Sequence, residues 1–203
     1  MKAVILLNGE PYRGEIPCEN ARVYCCDGAY DWAKGRVRID ENLGDYDSLF
    51  YAPEPPPTEI YPSEKNFTDG EIALSRAVGA GATEIFIYGG GGKREDHFLG
   101  NLHLLYLALE NGVHAELITN GSRIFGATGK VCLNELSGKT LSIIPFGGNA
   151  HIIESSGLKY PLKHLDLRYG STRGISNVAE SDEAHILTQD RVLVIVNLNR
   201  EEL

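Results

Sequence analysis

The sequence predicts an α/β domain followed by an all-β domain. Over the first 120 or so residues, short apolar runs alternate with helical patterns, and from there on only strands and turns follow one another. Alternation of strands and helices is typical of a mostly parallel sheet covered on both faces, whereas closely spaced strands are typical of a β-sandwich. We therefore expect an α/β domain at residues 1–121 and an all-β sandwich domain at residues 122–203.

The first domain contains six strand-like segments. In chain order they are "AVILLN", "RVYCCD", "ENLG", "TEIYPS", "TEIFIYG" and "HAELIT". "DGAYDWA", residues 27–33, is a turn from strand to helix, and the proline-rich residues 52–59 form a stiff surface connection. These segments predict strands of one sheet, with the helices as crossovers.

Two longer helices are predicted in this domain. The first begins near Asp69, because residues 68–71, "TDGE", fit a capping box. The second begins near Asp96 and stops at residues 111–112, "NG". Apolar residues at helical spacing mark its predicted buried stripe, and leucines on the other sides predict that the whole helix is well buried. The stripe consists of Leu99, Leu102, Tyr106 and Leu109.

The second domain is predicted from five further apolar runs: "KVCLNEL", "TLSIIPF", "HIIESSG", "EAHILTQ" and "RVLVIVNL". Glycine, serine and asparagine clusters separate them, which is the spacing of short antiparallel strands. About 80 residues make a thin sandwich, so pairing with a second copy of the chain would help to stabilise it.

Composition narrows the functional classes. The net charge of −9 argues against nucleic acid or an anionic membrane as the main partner, since phosphate backbones are held by clustered lysines and arginines. No apolar run is long enough to span a membrane, and we expect a cytoplasmic protein. The four cysteines lack CxxC spacing and are expected to be reduced. An anionic substrate would need a metal ion as a mediator.

The glycine run "GGGGKREDH", residues 89–97, is a candidate for binding phosphate. It fits neither GxGxxG nor a Walker A loop, because Arg94 and Glu95 occupy positions where those motifs need other residues. A strand precedes it and a helix follows, which is where backbone N–H groups and the helix dipole bind phosphate. A plain tight turn is the alternative.

Three aspartates are candidate metal ligands. Asp45 and Asp47 follow a strand at the expected carboxyl edge of the sheet, and Asp69 begins a helix near the same edge. Hard oxygen ligands of this kind suit Mg²⁺, which takes one or two carboxylates and leaves its other positions to water and substrate phosphates. Solvated turn aspartates are the alternative.

A second polar group comprises Arg94, Asp96, His97 and Asn101. His97 and Asn101 share one helical face, Arg94 could hold phosphate oxygens, and Asp96 could accept a proton or cap the helix.

In order along the chain, six motifs resemble the thiamine pyrophosphokinase family: "CCDGAYDWA", "LGDYDSL", "SEKNFTDGEIAL", "GGGGKREDHFLGNL", "GLKYPL" and "GISN". Each is weak alone, but the ordered set is specific. The resemblance implies an N-terminal α/β domain, a C-terminal β-sandwich and a homodimer with active sites at the subunit interface. It also implies transfer of a pyrophosphoryl group from ATP to the hydroxyl of thiamine, giving thiamine diphosphate and AMP.

By the same resemblance, Asp45, Asp47 and Asp69 would bind Mg²⁺ on the triphosphate, and Lys65 and Arg94 would contact the phosphates. The nucleotide site would include Asp27, Gly28, Asp96, His97 and Asn101, with Asp96 a candidate for accepting the thiamine proton. Ser176 and Asn177 would help to hold the thiamine pyrimidine, in the partner subunit's site.

The chain departs from the family pattern at Asn66, where an aspartate is common, and at Val178, where a glutamate is usual. The first departure leads us to expect weaker metal affinity. Two alternatives to the kinase are a non-catalytic nucleotide or thiamine sensor and a metal-dependent transferase that uses Asp45 and Asp47 on a nucleotide sugar. The latter leaves "FTDGE", "GKREDH" and "GISN" unexplained.

Overall fold

The chain forms two compact units, the first comprising Met1–Asn120 and the second beginning at Gly121. The computed structural model describes residues 1–45, 51–57 and 66–198. Over these residues, no helix has both the length and the apolar character that a membrane-spanning segment requires. Each unit has its own hydrophobic core, so the two are described separately.

The first unit is built on a parallel sheet. Its strands are β1 (Lys2–Leu6), β2 (Ala21–Cys26), β3 (Glu41–Leu43), β4 (Glu84–Tyr88) and β5 (His114–Ile118). They pair in the order β3-β2-β1-β4-β5, and every pair is parallel. The chain therefore extends from β1 in one direction and later adds β4 on the other side of β1. This places the topological switch point between β1 and β4, where ligands of open α/β sheets bind.

The central strands carry almost continuous apolar residues because both faces of the sheet are covered. In β1, Ala3, Val4, Ile5 and Leu6 have no exposed surface. The adjacent Cys25 and Cys26 of β2 are both buried although their side chains point to opposite faces. The predicted α/β architecture is confirmed. The predicted strand "TEIYPS" lies outside the described residues.

Helices and turns connect these strands. A 3-10 turn, Asp27–Ala29, leads into the short α1 (Tyr30–Ala33), and the longer helices are α2 (Asp69–Gly79) and α3 (Glu95–Glu110). The Thr68 hydroxyl accepts a hydrogen bond of 3.2 Å from the Glu71 N–H, as its predicted capping role requires. The predicted starts of both helices, near Asp69 and Asp96, agree with these bounds.

The predicted buried stripe of α3 is wrong. Leu99 is 59% exposed, and the buried residues of the helix are Leu104, Leu105 and Ala108. This face packs against α2 and β5. Leucines occur around most of the helix, so hydrophobic spacing alone does not identify the face that the tertiary contacts bury.

The described part of the proline-rich connection, residues 51–57, is anchored to the sheet and α1. The Glu54 N–H donates to the Tyr30 hydroxyl at 3.0 Å, and the Asn42 amide donates to the Pro55 carbonyl at 2.6 Å.

The second unit contains only strands and turns within its described residues. Its strands are β6 (Ser122–Asn134), β7 (Thr140–Pro145), β8 (Ala150–Ser156), β9 (Leu165–Leu167), β10 (Asn177–Val178) and β11 (Glu183–Asn197). β11 pairs with β6 along most of its length, and its ladder shifts register between Thr188 and Val192. The other edge of β11 pairs with β8 before this shift and with β7 after it. The predicted all-β character is confirmed.

Candidate functional site

A cavity of about 640 Å³ opens at the carboxyl edge of the sheet in the first unit. Its residues come from the segments that follow β1, β2, β3 and β4 and from the starts of α2 and α3. The lining residues are Leu7, Asn8, Gly9, Cys26, Asp27, Asp45, Thr68, Asp69, Gly70, Gly90, Gly91, Lys93, Arg94, His97 and Asn101. The volume falls in the range of small-molecule sites.

The floor of the cavity is formed by two loops that run side by side past the switch point. The Gly9 N–H donates to the Gly89 carbonyl at 2.7 Å, and the Glu10 N–H donates to the Gly91 carbonyl at 2.6 Å. These bonds continue the β1–β4 pairing beyond the strand ends. The glycine run is therefore held against the segment after β1 and is more than a solvent-exposed turn.

Close backbone packing explains why this loop needs glycine at residue 89. Gly89 has φ +71°, and a Cβ there would lie 2.4 Å from the Leu7 carbonyl oxygen and 2.8 Å from Trp32 Cζ2. A side chain at Gly9 would meet the Gly89 oxygen at 2.3 Å. Only glycine allows such approach without displacing backbone. The next two glycines of the loop, Gly90 and Gly91, line the cavity.

Asn101 supports this loop from α3. Its side-chain amide donates to the Gly90 carbonyl at 2.8 Å. The structure thus places Asn101 in the cavity wall, as the sequence predicts, and also gives it the role of fixing the glycine loop to the helix that follows.

Three aspartates line the cavity: Asp27 after β2, Asp45 after β3 and Asp69 at the start of α2. Asp27 has φ +46°, and its buried Oδ1 has no hydrogen-bond partner within the described chain. Gly44 packs against it, since a Cβ at Gly44 would lie 3.0 Å from the Asp27 Cβ. A strained residue with an unsatisfied buried carboxylate oxygen is commonly a ligand-binding residue. We call these three residues the acidic wall.

Two cations from the β4–α3 loop, Lys93 and Arg94, also line the cavity. Arg94 is bound by Asp96 through two hydrogen bonds, from Nε at 3.0 Å and from a terminal nitrogen at 2.6 Å. Hydrogen bonding from Arg94 lowers the pKa of Asp96 to about 2, and the same pair raises the pKa of Arg94. His97, at the start of α3, lies beside them in the lining. We call Lys93 and Arg94 the basic wall.

The remaining predicted residues lie in different places. Gly28 lies against Asn8 behind the cavity, because a Cβ at Gly28 would be 2.3 Å from the Asn8 Nδ2. Asp96 contacts Arg94 and is not among the lining residues. Asp47 and Lys65 lie outside the described residues.

Ser176 and Asn177 belong to the second unit. Asn177 is 2% exposed, and its side chain bonds the backbone of Tyr160 in both directions, accepting from the N–H at 3.0 Å and donating to the carbonyl at 2.7 Å. Tyr160 itself is 56% exposed. Ser176 is exposed, has φ +59°, and its N–H donates to the Ser142 hydroxyl at 3.1 Å. Asn177 thus holds the residue that presents an aromatic ring.

Sequence reasoning missed Asn8, Gly9, Cys26 and Lys93 as cavity residues. Asn8 and Gly9 lie two and three residues after the end of β1, at the same sheet edge as the glycine run. This position alone could have predicted that they line the cavity. Cys26 ends β2, and its thiol donates to the Asp69 carbonyl at 3.6 Å.

The donor chemistry of the acidic wall fits a hard divalent cation. Carboxylates on one side of a cavity leave room for substrate oxygens and water, which is how Mg²⁺ is commonly held. Within the described residues, no three His, Cys, Asp or Glu side chains form a preorganised metal cluster.

The chain matches two family models. Residues 18–117 match the thiamin pyrophosphokinase catalytic domain, and residues 130–193 match the thiamin pyrophosphokinase vitamin B1 binding domain. The thiamine pyrophosphokinase of Bacillus subtilis (strain 168) is 34% identical over 145 residues, covering 68% of each chain.

Solved structures share the fold. A Bacillus subtilis thiamine pyrophosphokinase crystal structure aligns with a TM-score of 0.83 at 24% identity, covering 97% of this chain and 98% of that one. The Geobacillus thermodenitrificans enzyme gives 0.82 at 23% identity, covering all of both chains. The yeast enzyme gives 0.77 at 16% identity, covering 100% of this chain and 87% of that one.

Proposed function

Because the chain belongs to the thiamin pyrophosphokinase family, we propose that the cavity of its first unit binds ATP for transfer of a pyrophosphoryl group to the hydroxyl of thiamine. The products are thiamine diphosphate and AMP. The observation that carries this assignment is that the acidic wall, at the ends of β2 and β3 and the start of α2, and the basic wall, in the loop after β4, line one cavity at the switch point. A metal-bound triphosphate has the complementary charge pattern, with a cation on one side and phosphate oxygens on the other.

The basic wall and the glycine loop have the groups to bind the phosphates. Gly90 and Gly91 line the cavity and could offer backbone amides, and Arg94 has a planar guanidinium that can bind two phosphate oxygens. Asp96 holds this guanidinium in place. A pKa of about 2 makes Asp96 a weak proton acceptor at neutral pH, so we assign it to orienting Arg94 and not to removing the thiamine proton.

The acidic wall would hold Mg²⁺ through Asp45 and Asp69, together with Asp47. The bound ion would neutralise charge on the triphosphate at the β-phosphorus and the departing α-phosphate. Asp27 has a buried carboxylate oxygen that can accept a hydrogen bond from a ligand hydroxyl or amine. His97 and Asn101 would border the nucleotide, and Lys65 would add positive charge.

The second unit would supply the thiamine contacts. The exposed ring of Tyr160, whose backbone Asn177 holds, offers a flat apolar face to an aromatic ring. Ser176, directly before β10, carries an exposed hydroxyl. We assign direct contact to Tyr160 and Ser176, and support of that surface to Asn177. A homodimer with sites at the subunit interface completes this proposal, since a thin β domain gains stability from a partner.

A cytoplasmic location is part of the same proposal. The reaction consumes ATP, and the four free cysteines suit a reducing compartment.

The assay follows both products. Purified protein with ATP, Mg²⁺ and thiamine should give equal amounts of AMP and thiamine diphosphate by chromatography, and EDTA should stop both. ADP in place of AMP would mean transfer of a single phosphoryl group. Binding of both substrates without turnover would favour the sensor alternative.

Asp45→Asn tests the acidic wall. Removing a preorganised charge from the transferring group should lower kcat by about a hundredfold or more while the unfolding midpoint stays unchanged. Asp166→Asn, an exposed aspartate of the second unit, is the matched control. An Asp45→Asn variant with the wild-type kcat and Mg²⁺ dependence would remove Asp45 from the site.

Ser176→Ala tests the thiamine side. We expect the KM for thiamine to rise by about tenfold, as for loss of one hydrogen bond to substrate, while the KM for ATP stays within about twofold. Equal changes in both constants would contradict the assignment.

A further inference from the structure

We propose that Lys93 binds the β- and γ-phosphates of the nucleotide, and that Asn8 positions the ammonium group of Lys93. This inference rests on the proposed function of the cavity. The ligand chemistry is the polyphosphate of a nucleoside triphosphate. Lys93 is a phosphate-binding residue here, and Asn8 acts through it.

Of the two described cations that line the cavity, Arg94 is in an ion pair and Lys93 is in none. Arg94 is bound by Asp96 through two of its N–H groups, so fewer of its donors are open to the phosphates. Glu10, the carboxylate next to the glycine loop, is bound by Arg13 at 2.9 Å. Within the described residues, Lys93 is in no ion pair, and it lines the cavity.

The hydrogen bond that Lys93 does make is to a neutral group. Its Nζ donates to the Asn8 side-chain oxygen at 3.3 Å. A neutral amide is not a counter-ion, and two of the three N–H donors of the ammonium group remain for phosphate oxygens. A carboxylate at residue 8 would instead compete with the phosphate.

Asn8 is well suited to hold this lysine. Its position directly after β1 fixes its backbone at the switch point, and its amide group packs so closely on Gly28 that a Cβ there would lie 2.3 Å away. The close contact restricts the Asn8 side chain. Asn8 is thus fixed by its packing against Gly28, and one hydrogen bond links Lys93 to it.

Lys93→Gln tests the binding role. Titration calorimetry with MgATP should show affinity weaker by about tenfold, the lower part of the range for charge-assisted hydrogen bonds, because Lys93 is exposed. Affinity for AMP, which lacks the outer phosphates, should change by less than about twofold. Equal weakening for both nucleotides, or no change for MgATP, would overturn the proposal.

Lys2→Gln is the matched control. Lys2 pairs with Glu84 at 3.5 Å at the amino ends of β1 and β4, the sheet edge opposite the cavity. The control removes the same charge, so a similar loss of MgATP affinity in both variants would show a general electrostatic effect and contradict a specific contact.

A double-mutant cycle tests the positioning role of Asn8. If Asn8 acts through Lys93, Asn8→Ala should weaken MgATP binding in the wild-type background and cause little further loss in Lys93→Gln. Additive losses would show that Asn8 acts independently. Lys93→Arg conserves the positive charge and should bind MgATP nearly as tightly as the wild type. If MgATP affinity fell in Lys93→Arg as much as in Lys93→Gln, a role for the charge alone would be contradicted.

The binding data separate this inference from the proposed function. A wild-type protein that binds MgATP through Lys93 but makes no thiamine diphosphate would keep the inference and remove the activity. If the wild-type protein makes thiamine diphosphate while Lys93→Gln binds MgATP normally, the proposed activity stands and the role of Lys93 is overturned. Absence of MgATP binding to the wild type would overturn both.

Discussion

Substitution of Gly89 by alanine should destabilise the first unit by about 3 kcal/mol. Two separate costs contribute. A φ of +71° is unfavourable for alanine by about 1 kcal/mol, and the added Cβ would lie 2.4 Å from the Leu7 oxygen and 2.8 Å from Trp32, an overpacking that typically costs about 1–3 kcal/mol. Neither neighbour is the flexible end of a side chain, so the loop itself must move.

Gly112→Ala separates the two costs. Gly112 has φ +67°, nearly the φ of Gly89, but a Cβ there would meet nothing within 4 Å. This variant should lose about 1 kcal/mol, and the change in unfolded-state entropy is common to both variants. Urea unfolding measures both. Equal losses would refute the argument that close packing against Leu7 requires glycine at residue 89. Movement of the loop should also weaken MgATP binding in Gly89→Ala alone.

Two further predictions concern the second unit and the thiols. Asn177→Ala should lower the free energy of unfolding by about 2–3 kcal/mol, because it leaves the backbone groups of Tyr160 without their partners, and a loss below about 0.5 kcal/mol in urea unfolding would contradict that role. Burial, with a contribution from Asp27, raises the pKa of Cys25 from 9.0 to about 12, so the contribution of its neutral thiol to stability is complete below pH 9.0 and is lost as the pH rises through about 12. Iodoacetamide at pH 8, followed by mass spectrometry, should therefore label the exposed Cys132 and spare Cys25 in the native protein, and native labelling of Cys25 would contradict this.

The order of elements in the first unit could be predicted because the signals are local. Apolar runs mark strands that are covered on both faces, Thr68 marks a helix start, and residues 111–112 mark a helix end. The buried face of α3 could not be predicted in the same way, since the tertiary contacts, and not the spacing, select Leu104 and Leu105 over Leu99. β9 and β10, with three and two residues, are too short to carry a periodic signal.

The cavity could be predicted in part from topology. Residues that follow parallel strands meet at one edge, so Asp27, Asp45 and the glycine run are brought together as expected. Spacing does not encode which polar groups bond one another. The hydrogen bonds between Arg94 and Asp96, and between Asn177 and the backbone of Tyr160, could therefore not be predicted.

Asn66 shows how the structure changes the weight of a sequence departure. The aspartate common at this position in the family led to an expectation of weaker metal affinity. Asn66 is exposed and is not among the cavity-lining residues, whereas Asp45 and Asp69 are. A carboxylate lost outside the acidic wall removes no donor from it. Metal affinity in this chain should therefore depend on the proposed ligands Asp45, Asp47 and Asp69, and Asn66→Asp should leave the Mg²⁺ dependence of turnover unchanged.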